Sequence, residues 1–301
     1  MGVLVKTSNL SGLLLLFCMS LSSSCVKKEG SESQDSVTEA SKNCPSGFVE
    51  VEGNGILGTN DFCVMKFEAK NNSGTPVSKA SGIPWGGINA TDAQAACESM
   101  SEPGFDGSFT LISNPEWMTI ARDIEDTASN WSGGVVGSGH IPRGHSDANP
   151  ADPIEVIDTL DPYSGTGNNS SELAGSGWEQ KRTHTLSNGS VIWDIAGNSY
   201  EWVDWDPSDT GFSLGPQDEG ASWKELSVNP SGSLLIDDYK PVNDSYGTAN
   251  SFGQWLGGSG GATLRGGTSD KNAEAGVYTL LLVVSSSTTS NHFGFRCVYR
   301  P

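Results

Sequence analysis

Sulfur is the first chemistry to consider in this chain. Its 301 residues include six cysteines, and Cys18 and Cys25 lie close to the N-terminus. The other four have spacings typical of neither a zinc site nor a redox pair; they are Cys44, Cys63, Cys97 and Cys297. An even number in an exported chain favours two disulfides, and four cysteines allow three pairings. We favour Cys44–Cys63, which would staple the first two strands, and Cys97–Cys297 would then tie an early helix to the last strand.

The N-terminus predicts export. Lys6 precedes a short apolar stretch, Leu13 to Met19, which is followed by the small residues that lead to Cys25. This order is typical of a secretory signal, and the stretch is shorter than the ~20 residues of a membrane-spanning helix. Residues 1–24 resemble a lipoprotein signal, after which Cys25 is acylated and anchors the chain to a membrane of the cell envelope. Ser22 departs from the leucine preferred at that position, and ordinary signal cleavage is the alternative.

Composition divides the mature chain into a tether and a domain. Residues 25–43 have no aromatic residue and almost no aliphatic one, so they cannot bury enough apolar surface to fold and are predicted to be a disordered tether. Residues 44–301 hold all nine tryptophans and nearly all phenylalanines, enough for a sizeable core. The net charge of −19 argues against a nucleic-acid partner.

Local patterns predict an α+β fold of two helices, short strands and long loops. Alternation predicts strands at 47–52 and 62–68. Thr91 is a candidate cap for a helix from Asp92 to Met100, and Ser113 with Glu116 forms a capping-box pattern for a second helix. A hairpin is expected at 184–193 with its turn at Asn188-Gly189. Further strands are expected at 262–265, 277–284 and 294–299, and loops at 129–176 and 206–261.

Four segments in this order resemble the formylglycine-generating enzyme (sulfatase-modifying factor) family. They are Phe62-Cys-Val-Met-Lys-Phe-Glu68, Leu111-Ile-Ser-Asn-Pro-Glu-Trp117, Asp194-Ile-Ala-Gly-Asn-Ser-Tyr-Glu-Trp202, and the pair Leu264-Arg-Gly-Gly267 with Gly294-Phe-Arg-Cys-Val298. The resemblance spans roughly residues 44–301. It implies an irregular C-type-lectin-like fold, and it supports the Cys97–Cys297 pairing because such domains often join that helix to that strand.

The chemistry of the family is not expected here. The enzymes bind copper through a cysteine pair shortly after the Arg-Gly-Gly strand, and copper(I) prefers such thiolates. The corresponding segment, 266–276, contains no cysteine. Iron-dependent relatives would need clustered histidines, but the four in this chain are scattered along it; they are His140, His145, His184 and His292. We therefore expect no copper and no catalysis.

The resemblance also implies a calcium site in the turn from Asp194 to Glu201. Matched position by position, these two carboxylates and the carbonyls of Ile195, Gly197 and Ser199 would supply the oxygens that calcium prefers. The alternative is that the polar side chains of this turn bond only its own backbone.

The C-terminal segment resembles the variable segment of proteins diversified by retroelements that substitute bases at template adenines. Where relatives often show Asn, this chain has residues reachable from an Asn codon by adenine changes; they are Thr268, Asp270, Leu281, Val283, Val284, Thr288, Ser290 and His292. Lys271 is not reachable in this way. These eight residues are the candidate ligand-binding set, although 280–284 is a continuous apolar run, which equally fits a buried strand.

Three classes of function follow. The leading hypothesis is an envelope lipoprotein that binds a protein or glycan ligand through this C-terminal segment without catalysis. The second is a formylglycine-generating oxidase or sulfatase-maturation factor. The third is a structural envelope lipoprotein with no specific ligand.

Overall fold

The computed structural model describes residues 44–167, 179–206, 222–230, 234–243, 245–258 and 261–301. The predicted signal, the predicted tether and Cys25 lie outside these residues. The described residues confirm the α+β class, with short strands, two principal helices and long loops. The strands are Phe48–Val51 (β1), Phe62–Met65 (β2), Ala69–Asn72 (β3), Thr75–Ser78 (β4), Ser108–Leu111 (β5), Thr183–Thr185 (β6), Val191–Trp193 (β7), Tyr200–Val203 (β8), Lys224–Glu225 (β9), Gln254–Leu256 (β10), Gly261–Arg265 (β11), Leu280–Ser285 (β12), Phe293–Phe295 (β13) and Cys297–Arg300 (β14). The helices are Ala90–Glu98 (α1), Asn114–Asp126 (α2) and the single-turn Ile236–Tyr239 (α3).

A four-stranded antiparallel sheet brings the two ends of the domain together. Its strand order is β1-β2-β14-β5, so the last strand lies between the second and fifth strands. Val64 of β2 is the register partner of both Val49 and Val298. The expected strand at 294–299 is therefore wrong as a single element, because β13 and β14 belong to different sheets and the chain changes sheets at Arg296.

A six-stranded mixed sheet, in the order β13-β8-β11-β12-β10-β9, carries the C-terminal segment. β12 is interior to this sheet, antiparallel to β11 and parallel to β10. The strand predicted from 277 to 284 begins only at Leu280. The buried residues Val277 and Tyr278 precede it and instead join the core through side chains and turn hydrogen bonds.

The two main helices begin with side-chain caps. Ser113 forms the predicted capping box with Glu116, each side chain bonding the other's backbone N–H. The predicted cap of α1 is wrong: Asn89, and not Thr91, accepts the backbone N–H of Asp92, so the helix begins two residues before the expected start. Asn89 holds the extended backbone that a cap requires, whereas Thr91 is already helical.

Both favoured disulfides are confirmed. Cys44–Cys63 joins the segment before β1 to β2, and Cys97–Cys297 joins α1 to β14 across 200 residues of sequence. Cys97 and Cys297 are both fully buried beside Leu264 and Phe295. The second bridge therefore ties the helix to the terminal strand inside the core.

Two buried tryptophans hydrogen-bond backbone segments that are distant in the sequence. Trp117 of α2 donates its indole N–H to the carbonyl of Val277, and Trp202 of β8 donates to that of Ile88.

The predicted hairpin is confirmed as β6 and β7, with Gly189 in the left-handed region at φ +84°. No helix among the described residues is long and apolar enough to cross a bilayer.

Candidate functional site

The eight candidate ligand-binding residues do not form one surface. Leu281 is only 6% exposed and packs in the core beside Leu264, and Thr268 is 2% exposed. Val283, at 42%, and Asp270 are exposed. The other four are partly exposed; they are Val284, Thr288, Ser290 and His292. Leu281 and Thr268 are therefore withdrawn from the candidate contact set, because a ligand cannot reach their buried side chains.

One stretch of this segment is exposed without interruption. Every residue from 283 to 292 is exposed or half-buried, whereas Leu282 before it and Gly294 shortly after it are buried. We call residues 283–292 the exposed loop, although residues 283–285 are the end of β12. Its position explains the ambiguity of the apolar run at 280–284: the first three residues are buried inside the sheet, and the run leaves the core at Val283.

The exposed loop is fixed to the domain by backbone hydrogen bonds. The carbonyl of Ser286 accepts the N–H of Ala90 at the start of α1, and that of Ser290 accepts the N–H of Gly87. The carbonyl of His292 accepts the N–H of Tyr200 on β8. Because these bonds use the main chain, they do not depend on which non-proline side chains the loop carries.

Buried Thr268 supports the loop from below. Its hydroxyl lies 2.9 Å from the carbonyl of Asn198, to which it donates, and 3.1 Å from Nδ1 of His292. His292 Nε2 lies 3.7 Å from a carboxylate oxygen of the exposed Asp152. Thr268 thus links one end of the loop to the turn between Asp194 and Glu201.

That turn ends in two buried ion pairs. Both oxygens of Asp194 accept N–H groups of Arg182, at 2.7 and 2.8 Å. Both oxygens of Glu201 accept N–H groups of Arg296, at 2.6 and 2.5 Å. The side chains of all four residues are at most 2% exposed. Two-point pairing of this kind is the strongest form of carboxylate–guanidinium contact.

The arginines also organise the surrounding backbone. Arg182 donates to the carbonyls of Ile154, Glu155 and Ser164, which fixes the long loop after α2. Arg296, at the change between the two sheets, donates to the carbonyls of Met65, Trp193 and Asp194. Each guanidinium therefore neutralises a carboxylate and donates hydrogen bonds to three carbonyls of the surrounding backbone.

Glu68 completes this group. Its oxygens accept the backbone N–H of Ser199 at 3.0 Å and the side-chain amide of Asn198 at 2.6 Å. Burial raises the pKa of Glu68 to about 8, and the carboxylates of Asp194 and Glu201 add to the rise while Lys70 and Arg296 oppose it. We call Glu68, Arg182, Asp194, Glu201 and Arg296 the buried ionic centre.

The predicted calcium donors do not fit a calcium site. Asp194 and Glu201 each direct both carboxylate oxygens to an arginine, and a cation there would have to displace two guanidinium groups. The described residues contain no grouping of three or more acidic, histidine or cysteine side chains suited to a metal. The alternative was that the polar side chains of the turn bond only its own backbone. It is incomplete too, because these carboxylates bond arginine side chains from other parts of the chain.

The sequence analysis did not identify the residues that pair with Asp194 and Glu201. Glu68 and Arg296 stand inside the segments that carry the family resemblance, but Arg182 stands outside them. A charged residue within an apolar strand pattern is the available signal, since such a residue is almost never fully buried unless it is paired.

The histidines also have separate surroundings. His145 is buried between Asn198 and the carbonyl of Pro150, and His184 is buried against the carbonyl of Pro142. His140 contacts Ser132 and Glu179, whereas His292 borders the exposed loop. All four cysteines among the described residues are in disulfides.

No family model matches the chain, and no curated protein matches it significantly. Among solved structures, it is similar to Treponema denticola variable protein 1, with 16% identity, a TM-score of 0.35 and coverage of 80% of this chain and 85% of that one. It is also similar to PvdO from Pseudomonas aeruginosa, with 12% identity, a TM-score of 0.36 and coverage of 85% and 92%. Because these identities and TM-scores are low, the α+β assignment rests on the helices, strand order and disulfides described above.

Proposed function

We propose that this chain is a lipid-anchored envelope protein that binds a protein or glycan ligand through the exposed loop and performs no catalysis. The observation that carries the proposal is that residues 283–292, from the second half of β12 to the residue before β13, are all exposed or half-buried, with buried residues at Leu282 and Gly294. A loop held by main-chain bonds on a rigid frame is where binding residues are commonly placed.

The frame on both sides of the exposed loop is fixed mainly by residues outside the loop. Arg296, directly after β13, pairs with Glu201, and Cys297 at the start of β14 is bonded to Cys97. Before the loop, β11 and β10 flank β12. Val283 and Asp270 add one apolar and one acidic exposed group to the same C-terminal segment. Substitutions at such positions change what the surface recognises without disturbing the core.

The state of the cysteines supports binding over oxidation. A formylglycine-type oxidase needs two nearby thiols for copper(I), and each described cysteine is already bonded to another. We expect the purified protein to turn over no cysteine-containing peptide, with or without added copper. Copper-dependent turnover would favour the oxidase hypothesis instead.

Variants of the loop test the binding proposal. The full chain would be screened on a glycan array and against envelope and host-surface proteins, and any ligand retested with Val283→Asp and Thr288→Lys. We expect both to lose binding by at least about tenfold with an unchanged melting temperature. The matched control is Ile56→Asp, whose side chain is 83% exposed and which lies outside the loop. Equal binding by all three variants would refute the proposal.

Diversification of the segment is a separate part of the proposal. Sequences of the gene from many isolates should differ at adenine-derived positions in the codons of the exposed loop and Asp270. Position 281 should stay apolar, because its side chain is in the core. Substitutions spread evenly over the domain would contradict diversification.

The lipid anchor is tested by mass spectrometry of the membrane fraction, in which the native protein is compared with Cys25→Ala.

A further inference from the structure

A lysine also lies in the buried ionic centre, beside Glu68. Lys70 of β3 is 3% exposed, and its Nζ lies 3.9 Å from Oε2 of Glu68. Lysine is almost never buried to this extent unless it is paired. A separation of 3.9 Å is longer than a hydrogen bond, so this pairing leaves the amine without a hydrogen bond to the carboxyl group.

The same oxygen of Glu68 also contacts Asn198. Oε2 accepts the side-chain N–H of Asn198 at 2.6 Å. The other oxygen, Oε1, accepts the backbone N–H of Ser199 at 3.0 Å, which fixes the carboxyl group in place. One oxygen of Glu68 therefore lies between an amine and a carboxamide, and all three side chains are buried.

The carboxamide of Asn198 is held from its other side as well. Its Oδ1 accepts the backbone N–H of Ile154 at 2.8 Å, and Nδ1 of His145 lies 3.2 Å from the same oxygen. Its Nδ2 donates to the carbonyl of Ile154 at 3.1 Å. A fixed N–H at a carbonyl oxygen stabilises the negative charge that develops there when a nucleophile attacks the carbon.

Burial favours the uncharged forms of both Lys70 and Glu68. It lowers the pKa of Lys70, and Arg182 and Arg296 lower it further while Glu68 and Asp194 oppose them. It also raises the pKa of Glu68 to about 8. The uncharged amine is the nucleophilic form of lysine, and a protonated carboxyl group can pass a proton to a leaving nitrogen.

We propose that Lys70 and Asn198 form an intramolecular isopeptide bond, with Glu68 as the catalytic residue that transfers the protons. Nζ of Lys70 attacks Cγ of Asn198, the bond between Cγ and Nδ2 breaks, and ammonia leaves. Oε2 of Glu68 takes one proton from the attacking nitrogen and delivers one to Nδ2, so Glu68 is unchanged at the end. The step needs no cofactor or oxidant, and the exclusion of water from the centre protects the amide from hydrolysis.

The bond joins β3 covalently to the turn before β8. It replaces a buried pair of charges, which are costly to remove from water, with a neutral amide. Unlike the two disulfides, it is not broken by a reductant. The chain performs this reaction once on itself and uses no group of the exposed loop, so the inference is independent of the proposed ligand binding.

Peptide mapping of the denatured and reduced native protein tests the bond. Trypsin should release residues 67–79 and 183–224 as one branched peptide, uncut after Lys70, with the mass of the two less one ammonia. Neither stretch contains a cysteine, so a disulfide cannot join them. A cyclic imide at Asn188-Gly189 would also release ammonia, but it would leave the peptides separate. Two separate peptides, with cleavage after Lys70, would overturn the inference.

Variants assign the reaction to these residues. Glu68→Gln keeps both reacting groups and the shape of the side chain, and it should abolish the branched peptide while circular dichroism shows the native fold. Lys70→Met should abolish it too, without burying a new charge. Lys79→Arg, at an exposed lysine of the same peptide, is the matched control and should keep it. The branched peptide in Glu68→Gln would overturn the role of Glu68, and in Lys70→Met it would overturn the bond itself.

Discussion

The buried ionic centre and the exposed loop are neighbours in the fold, but their polar groups serve opposite purposes. In the centre, every carboxylate has charged or N–H partners within the domain, and the side chains are out of water. In the loop, the backbone makes most of the internal contacts, and the side chains are exposed or half-buried. β13 joins the two directly, since Gly294 pairs with Glu201 one residue after the aromatic Phe293. In the ionic centre, the identity of each side chain is therefore constrained by its partners. In the exposed loop, the fold depends mainly on the path of the backbone.

The ionic centre should be the region most sensitive to single changes. Arg296→Met removes both donors from Glu201 and leaves a buried charge without compensation. We expect the free energy of unfolding to fall by ~3–5 kcal/mol, measured by urea denaturation. Replacing Glu201 by Met as well should recover part of this loss, because no uncompensated charge then remains. A loss below about 1 kcal/mol for the single variant would place the pair among weak surface contacts.

Two neighbouring positions on β12 define the boundary between the regions. Leu281→Ala should cost ~2–5 kcal/mol of unfolding free energy, because it opens a cavity beside Leu264. Val283→Ala should change stability by less than about 0.5 kcal/mol, because the side chain already faces solvent. The same urea titrations compare them, and equal losses would mean that the core extends to Val283.

A buried histidine next to the centre should make stability depend on pH. Burial lowers the pKa of His184 to about 4, with Lys181 contributing. The unfolded chain binds a proton below its ordinary pKa of 6.5 while the folded chain does not, so stability is present above pH 6.5 and is lost as pH falls towards 4. The full loss is roughly 3 kcal/mol. His184→Gln should reduce this slope in urea titrations between pH 6.5 and 4, and a variant with the native slope would assign the acid sensitivity elsewhere.

Local signals were readable from the sequence, and contacts between distant elements were not. The capping box of Ser113 and Glu116 spans three residues, so its pattern is complete in the sequence. The cap of α1 depended on backbone conformation, which is extended at Asn89 and helical at Thr91 and which the sequence does not specify. All residues of the run at 280–284 are apolar, so the sequence shows no alternation between a buried and an exposed face. Packing against the flanking strands determines which of these residues leave the core. The pairing of Asp194 with Arg182 joins separate elements, so the family resemblance suggested a metal where the fold has a guanidinium.

The smallest expected effect is that of added calcium on stability, because guanidinium groups pair with the carboxylates that were predicted to bind it. We expect calcium to leave the melting temperature unchanged, whereas a ligand at a hundred times its Kd would add about 2.7 kcal/mol. Terbium is a sharper probe, since Trp193 and Trp202 flank the turn and would sensitise its emission. Emission that calcium displaces and magnesium does not would show a true site and would require Arg182 or Arg296 to move away. Emission that both ions reduce equally would reflect terbium bound only to the acidic surface of the protein. This is the result we expect, because Asp194 and Glu201 are already paired with arginine side chains.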